Sequence, residues 1–384
     1  MSRFPDAPTI VDVAVIGAGQ AGLSAGYHLA RRGYVPARRA ASGHDRTFLI
    51  LDREERAGGA WQHRWRSLRM GTVNGIHELP GAPVPTFDAA TSSRDALPPY
   101  FADYEDRFAL DVRRPVTVRA VRDAPEGLLR VETDHGDIGA RYLINATGTW
   151  TRPFWPSVPG ARRFRGVQRH VHDYVDAQEF AGMRVVIVGA GISAVQLLEE
   201  ISRVADTFWV TRREPQWIEE DFDVPARVAA LAGVSERVRQ GLPAGSVISV
   251  TGMHWTPWAR EADRRGVLVR HPMFVAIEED GVRMPDGTLQ PADVILWATG
   301  FRPALDHLAP LHLRTSAGGI RVDDSRALDD PRIFLLGYGP TQSTVGANRA
   351  GRAAVAQIVA DQTPITAMSP ADDVNASLRH VSSR

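Results

Sequence analysis

The chain has no cysteine. That removes disulfides, thiolate metal sites, iron–sulfur clusters and every thiol relay from its chemistry. It has no lysine either, since all 45 of its Lys-plus-Arg positions are arginine. Schiff-base catalysis through a lysine amine is therefore excluded. Coding bias in a GC-rich genome is sufficient reason for that deficit. An excess of either charge is missing too: 45 basic residues stand against 45 acidic ones. Nothing in that balance suggests nucleic acid or a membrane surface as a general partner. No apolar run is long enough to span a bilayer, and none follows Met1-Ser2-Arg3-Phe4-Pro5-Asp6 as a secretory signal would. The expectation is a soluble, cytoplasmic protein.

What is present is organised by two glycine-rich turns. With 384 residues, 43% of them apolar, the chain has material for two or three domains. Thr9 to Ile16 reads as a buried parallel strand, and Gly17-Ala18-Gly19-Gln20-Ala21-Gly22 follows at once. A helical run through Leu23, Tyr27 and Leu29 stops at Gly33, and the strand Thr47 to Leu51 ends on Asp52. Residues 35–46 make the connection longer than such a unit needs and are expected to form a surface insertion. The order repeats from Met183 to Val188, through Gly189-Ala190-Gly191-Ile192-Ser193-Ala194, to a helix with Ala194, Leu197, Leu198 and Ile201 on one face. The next strand, Thr207 to Thr211, ends on Arg212 and Arg213.

Two further segments, Asn145-Ala146-Thr147-Gly148 and Trp297-Ala298-Thr299-Gly300, close strand-like runs and place crossovers near 150–165 and 300. Met284-Pro285-Asp286-Gly287-Thr288 predicts a hairpin turn. Residues 216–266 break the pattern with Trp217, Trp255, Trp258 and several prolines; a lid and a packed helical excursion fit equally well. The fold class expected is α/β with two Rossmann-like dinucleotide-binding domains. The first would be discontinuous, 1–165 with 301–384, and the second would cover 166–300.

Glycine at the first two motif positions allows a tight turn and a close approach to pyrophosphate; the third small residue lets helix pack on strand. The helix N-terminus then offers N–H groups and partial positive charge to the phosphates. Gly17, Gly19, Gln20, Ala21 and Gly22 are thus candidates for one nucleotide, and Gly189, Gly191, Ile192, Ser193 and Ala194 for another. Asp52 stands where an adenosine ribose would be hydrogen-bonded, although beyond the usual spacing of about 20 residues. An acid there favours a free 2′-hydroxyl, as in FAD or NAD. Arg212 and Arg213 hold the matching place in the second unit and suit the 2′-phosphate of NADPH. Opposite signs at matched positions argue for FAD in the first site and NADPH in the second.

The chain resembles the flavin-containing monooxygenases and their Baeyer–Villiger relatives over nearly its whole length. Gly58-Gly59-Ala60-Trp61 looks like that family's second flavin-contacting turn. Phe164-Arg165-Gly166-Val167-Gln168-Arg169-His170 looks like the fingerprint between its nucleotide turns, and Trp297-Ala298-Thr299-Gly300-Phe301 like its linker motif. Departures are Val171 after the fingerprint histidine, Ile192 where Asn is usual, and Tyr174 where Baeyer–Villiger enzymes carry Trp. The last leans toward heteroatom oxygenation.

The resemblance implies that NADPH delivers hydride to FAD, and that reduced flavin meets dioxygen to form a C4a-(hydro)peroxyflavin that oxygenates a small organic substrate. It implies Arg53, Gly59, Trp61, Val118, Thr147 and Gly148 as further flavin contacts, and Thr299 and Gly300 as contacts for NADPH. The expected helix from Thr344 would stabilise reduced flavin at its N-terminus, with Gln342, Ser343 and Asn348 as polar candidates. Asn74, His170 and Asn348 are the weak catalytic candidates, and His170 reads more readily as a structural hydrogen bonder. His63, His77, His254 and His271 lack metal-ligand spacing, so no metal is expected. Oxygenation at nitrogen or sulfur is the favoured reading; a Baeyer–Villiger oxygenase, a plain NADPH oxidase or flavin reductase, and a nucleotide-binding regulator compete with it. A disulfide reductase shares the architecture but needs thiols that the chain lacks.

Overall fold

The structure is a computed structural model that describes residues 9–73, 75–218, 224–245 and 252–362. Its first layer grows from the strand Thr9–Ile16, whose Val13, Ala14 and Val15 are fully buried. Apolar side chains on both faces suit a strand covered on both sides. It pairs in parallel with Thr47–Leu51 on one side and Gly136–Asn145 on the other, and Ile333–Leu335 adds in parallel beyond. The registers align Ile16 with Leu51 and Asn145, and Asn145 with Leu335. All four chains therefore leave the sheet at one carboxyl edge, which is where open α/β sheets bind ligands.

Helices Gln20–Arg31 and Thr344–Gln362 pack together on one face, burying Leu23, Ala25, Leu29, Ala350, Ala354 and Ile358. Their approach is close at Gly351, where a Cβ would lie 2.8 Å from Ser24 Oγ. The antiparallel strands Val118–Asp123 and Leu129–Thr133 extend from Gly136–Asn145 over a second core that contains Val121, Leu129 and Val131. The expected insertion at 35–46 is not all loop: Val35–Pro36 forms a short edge strand beside Thr47 and Phe48, followed by a single turn, Ala37–Arg39.

The second layer is a five-stranded, all-parallel sheet in the order Arg270–Pro272, Asp206–Thr211, Arg184–Val188, Val294–Trp297, Val167–His170. Helix Ile192–Ile201 covers it, and all four residues expected on its inner face are fully buried. A three-stranded antiparallel flap, Ala276–Glu278, Gly281–Arg283 and Leu289–Pro291, contains the expected hairpin, closed by Met284 N–H donating to Thr288 O at 2.9 Å. Val158, Ala161 and Phe164 pack into this half of the molecule, so the chain has crossed over before residue 158.

Both crossovers run side by side. Phe154 N–H donates to Gly300 O at 3.0 Å, Arg302 N–H to Arg152 O at 2.8 Å, and Ala304 N–H to Gly148 O at 3.0 Å. Arg302 lies over the Phe154 ring, and Trp150 stacks on Phe301 at 5.1 Å. The two sheets are thus joined by one doubled strap. Described parts of 216–266 are packed: Trp217 stacks on Trp255 at 4.1 Å, and helix Pro257–Arg264, capped by Thr256, leans on Ile192–Ile201. The helix Val224–Arg239 sends Val238 into the core of the first sheet, which has ten strands in all.

Candidate functional site

A cavity of about 460 Å³ opens at the carboxyl edge of the ten-stranded sheet. Its floor is the first glycine turn. Gly17 has φ +100°, and a Cβ there would lie 2.5 Å from Ala146 O. A Cβ on Gly22 would sit 1.8 Å from Gly17 O, so that residue makes the turn possible from behind rather than lining the cavity. Gly19 differs from both: nothing lies within 4 Å of where its Cβ would be, and no side chain caps the helix that begins there. The first N–H groups of that helix are left for a ligand.

The structure brings Gly17, Gly19, Gln20, Ala21, Asp52, Arg53, Gly59 and Trp61 to the wall of this cavity, with Val118, Thr147, Gly148 and Gln342 opposite. Gly58 and Gly59 have positive φ, and a Cβ on Gly59 would lie 3.0 Å from Gly19 Cα. The second glycine pair is therefore pressed onto the first turn. These are features of a cradle for an extended nucleotide, and the residues present fit FAD.

Asp52 does more than the sequence suggests. Its Oδ2 accepts Ala18 N–H at 2.9 Å and its Oδ1 accepts Glu54 N–H at 2.9 Å, so it braces the glycine turn directly. Burial pushes its carboxyl above the usual range, while those N–H groups and Arg114, 3.6 Å away, pull it back. Arg114 in turn forks onto Glu105 through two 2.6 Å bonds. Neither Arg114 nor Glu105 belongs to a motif; only the fold brings them behind Asp52.

The polar residues expected at the far end are divided. Gln342 and Ser343 face the cavity. Asn348 does not: its amide donates to Glu78 O at 2.6 Å and accepts from Gln20 Nε2 at 3.0 Å, tying the helix to the loop before Leu79. Asn74 lies outside the described residues. Two further residues on the cavity wall belong to no motif read from the sequence. His307, with Nε2 2.7 Å from Asn145 Oδ1, is pulled down to about 4 by burial and stays neutral. Arg64 is the other; its one sequence cue is a place three residues past the Gly-Gly-x-Trp turn.

The second turn repeats the design. A Cβ on Gly189, at φ +148°, would lie 2.3 Å from Ala298 O, whereas Gly191 has open space and starts a helix with no side-chain cap. Ile192 and Ser193 are half-buried beside it; Ala194 is fully buried and packs instead. Arg212 and Arg213 are exposed at the end of the neighbouring strand. This arrangement fits an adenine nucleotide with phosphate at its ribose. Thr299 and Gly300 stand in the strap, where Thr299 Oγ1 donates to Phe154 O at 2.5 Å.

His170 is fully buried away from the cavity. Its Nδ1 accepts His172 N–H at 3.0 Å, which leaves Nε2–H to donate to Gly300 O at 3.1 Å. It locks the fingerprint to the linker motif. Burial pulls it down to about 4 from an ordinary 6.5. Folded-state depression means the stability it supports is complete above pH 6.5 and is lost as pH falls from 6.5 toward 4. Thermal denaturation across that window should show a falling Tm in the wild type and a flatter profile in His170→Gln. An identical slope in the two would remove His170 as a contributor.

Among the described residues no group of His, Asp or Glu could hold a metal ion. No helix there is long and apolar enough to cross a membrane.

The chain is similar to known oxidoreductases. The family model for pyridine nucleotide-disulphide oxidoreductases matches residues 14–254. A flavin-containing monooxygenase from Stenotrophomonas maltophilia superposes with a TM-score of 0.76 at 38% identity, covering 92% of this chain and 100% of that one. A Baeyer–Villiger monooxygenase from Streptomyces coelicolor is 27% identical over 360 residues, 87% of this chain and 66% of that protein. An indole-3-pyruvate monooxygenase from Oryza sativa is 32% identical over 192 residues, 49% of this chain and 44% of the relative. The matched region spans between about half and two thirds of the first curated relatives, 53%, 66% and 44% of their lengths.

Proposed function

Since the chain belongs to the pyridine nucleotide-disulphide oxidoreductase family, on the flavin-containing monooxygenase side whose cofactors are FAD and NADPH, we propose that it oxygenates a small organic substrate at nitrogen or sulfur. The observation that carries this reading is a two-nucleotide framework in a chain with no cysteine. Electrons arriving at the first site find no disulfide within this chain, and dioxygen is the acceptor in the monooxygenase reading.

In this reading, FAD lies against Gly17, Gly19, Gln20 and Ala21, with Asp52 and Arg53 at the ribose end and Trp61, Val118, Thr147, Gly148 and Gln342 along the cleft. NADPH lies on Gly189, Gly191, Ile192 and Ser193, with Arg212 and Arg213 on its 2′-phosphate. The FAD-binding part comprises 1–165 and 301–384, and the NADPH-binding part 166–300. FAD supplies hydride acceptance and oxygen activation when bound. The protein's share is to bind, orient and exclude water. Asp52 stiffens the phosphate turn, and His170 with Gly300 ties the fingerprint strand to the strap that joins the two halves.

Tyr174 supports heteroatom over Baeyer–Villiger oxygenation. It stands in the place of the Baeyer–Villiger tryptophan, and its hydroxyl donates to Glu200 Oε1 at 2.8 Å. The balance for a thioether is R–S–R′ + O₂ + NADPH + H⁺ giving the sulfoxide, water and NADP⁺. Supplying a thioether and a cyclic ketone side by side, with NADPH, product and peroxide measured together, tests the reading. Sulfoxide equal to NADPH consumed supports it. Lactone as the sole organic product assigns the Baeyer–Villiger reaction instead, and peroxide equal to NADPH with neither product assigns an oxidase.

A further inference from the structure

A second cavity, about 400 Å³, adjoins the first, and Arg64 lines both. Its guanidinium lies over the Trp150 ring at 4.7 Å and the Trp61 ring at 5.5 Å. Its Nε is buried with no hydrogen-bond partner, and no described carboxylate pairs with the side chain. The acids that line the two cavities are already engaged: Asp52 with Arg114 at 3.6 Å, Glu54 with His63 at 2.9 Å and Arg53 at 3.4 Å, and Asp173 with His172 at 2.7 Å. Burial alone pulls Arg64 down to about 10, so it is a cation at neutral pH.

A half-buried cation with no described counter-ion is costly, and groups perturbed in this way cluster at functional sites. The two phosphate-bearing cofactors already have their own cradles, at the uncapped helices that begin after Gly19 and Gly191. What remains around Arg64 is aromatic: Trp61 and Trp150, Phe301 stacked on Trp150 at 5.1 Å, and His63 parallel to Trp150 at 6.3 Å. Arg94, also on the wall of the second cavity and without a described acid partner, adds to the positive field.

We propose that Arg64 is a specificity-determining residue that binds the carboxylate of an aryl-carboxylate substrate, with the aromatic walls taking the ring. A guanidinium resting on indole faces keeps its N–H edge free for bidentate contact with a planar anion. This rests on the monooxygenase reading for its purpose but not for its test, since binding can be measured without turnover.

The experiment titrates FAD-loaded enzyme, with no NADPH present, with 4-(methylthio)benzoate and its neutral amide by calorimetry. Wild type should bind the acid more tightly than the amide by about tenfold or more, the worth of a charge-assisted pair. Arg64→Gln should lose that preference with the amide affinity unchanged, and Arg64→Lys should recover part of it. Because Arg64 also lines the flavin cavity, flavin content is measured in each variant and affinities are compared per flavin-loaded protein. Equal affinity for acid and amide in wild type overturns the proposal, as does failure of the acid to bind. A fall in NADPH affinity with acid binding intact overturns it too, by making Arg64 a cofactor residue. NADPH-dependent sulfoxidation of the amide tests the monooxygenase reading separately.

Discussion

Gly22→Ala should strip the protein of its flavin and lower its stability, whereas Gly19→Ala should strip the flavin alone. The added methyl at Gly22 would lie 1.8 Å from the backbone oxygen of Gly17, and no side chain can swing aside to make room. The first helical turn has to lift off the strand, carrying its N–H groups away from the phosphates. Overpacking of this kind costs about 1–3 kcal/mol, before any loss of ligand. At Gly19 the methyl meets nothing within 4 Å, and the residue has ordinary extended φ of −81°. It would occupy only the space where a pyrophosphate must approach the backbone. Flavin-to-protein absorbance should fall by about tenfold or more in both variants, a loss of at least about 1.4 kcal/mol of binding. The Tm of the flavin-free protein should fall in Gly22→Ala and stay within about 2 °C of wild type in Gly19→Ala. Full flavin content in Gly19→Ala would remove the turn from the flavin site.

The second large effect is expected at the other nucleotide. Arg212 and Arg213 follow directly on Thr211, itself fully buried at the end of its strand, so both guanidinium groups are carried by a rigid element into solvent. Arg270, from the neighbouring strand, holds Thr211 Oγ1 at 2.9 Å and fixes that strand end. Charge-assisted hydrogen bonds to a phosphate are worth about 1.5–3 kcal/mol each. Replacing both arginines with alanine should therefore cut the NADPH-to-NADH ratio of kcat/KM by about a hundredfold, with NADH itself changed by less than about threefold. Because NADH lacks the 2′-phosphate, it serves as the internal control for folding. An unchanged ratio would reject the assignment and leave the pair as solvated surface.

These outcomes differ in how much of their basis can be read without coordinates. Gly17, Gly19 and Gly22 are legible because their spacing is itself the constraint: a strand, a turn without Cβ atoms and a helix start must follow one another locally. Asp52, Arg212 and Arg213 are legible as strand ends for the same reason. Asn348 shows the limit. Its place at the start of a helix suggested flavin, but the helix turns it toward Gln20 and Glu78, and only the packing of two distant segments decides that.

Local order along the chain thus determined the parallel α/β architecture, the two glycine turns, the hairpin at 284–288 and the exclusion of thiol chemistry within the chain. Strand, turn and helix periodicities are short-range, and an absent residue type needs no fold to interpret. Tertiary structure alone decided the rest. It closed Arg114 and Glu105 behind Asp52, locked His170 to Gly300 across 130 residues, and bound the two crossovers into one strap. It also set Arg64 against Trp150, far along the chain, with no described acid to neutralise it. Each of these is a contact between segments remote in sequence, whose meeting depends on sheet register and on which carboxyl edge the strands share. No local pattern encodes it.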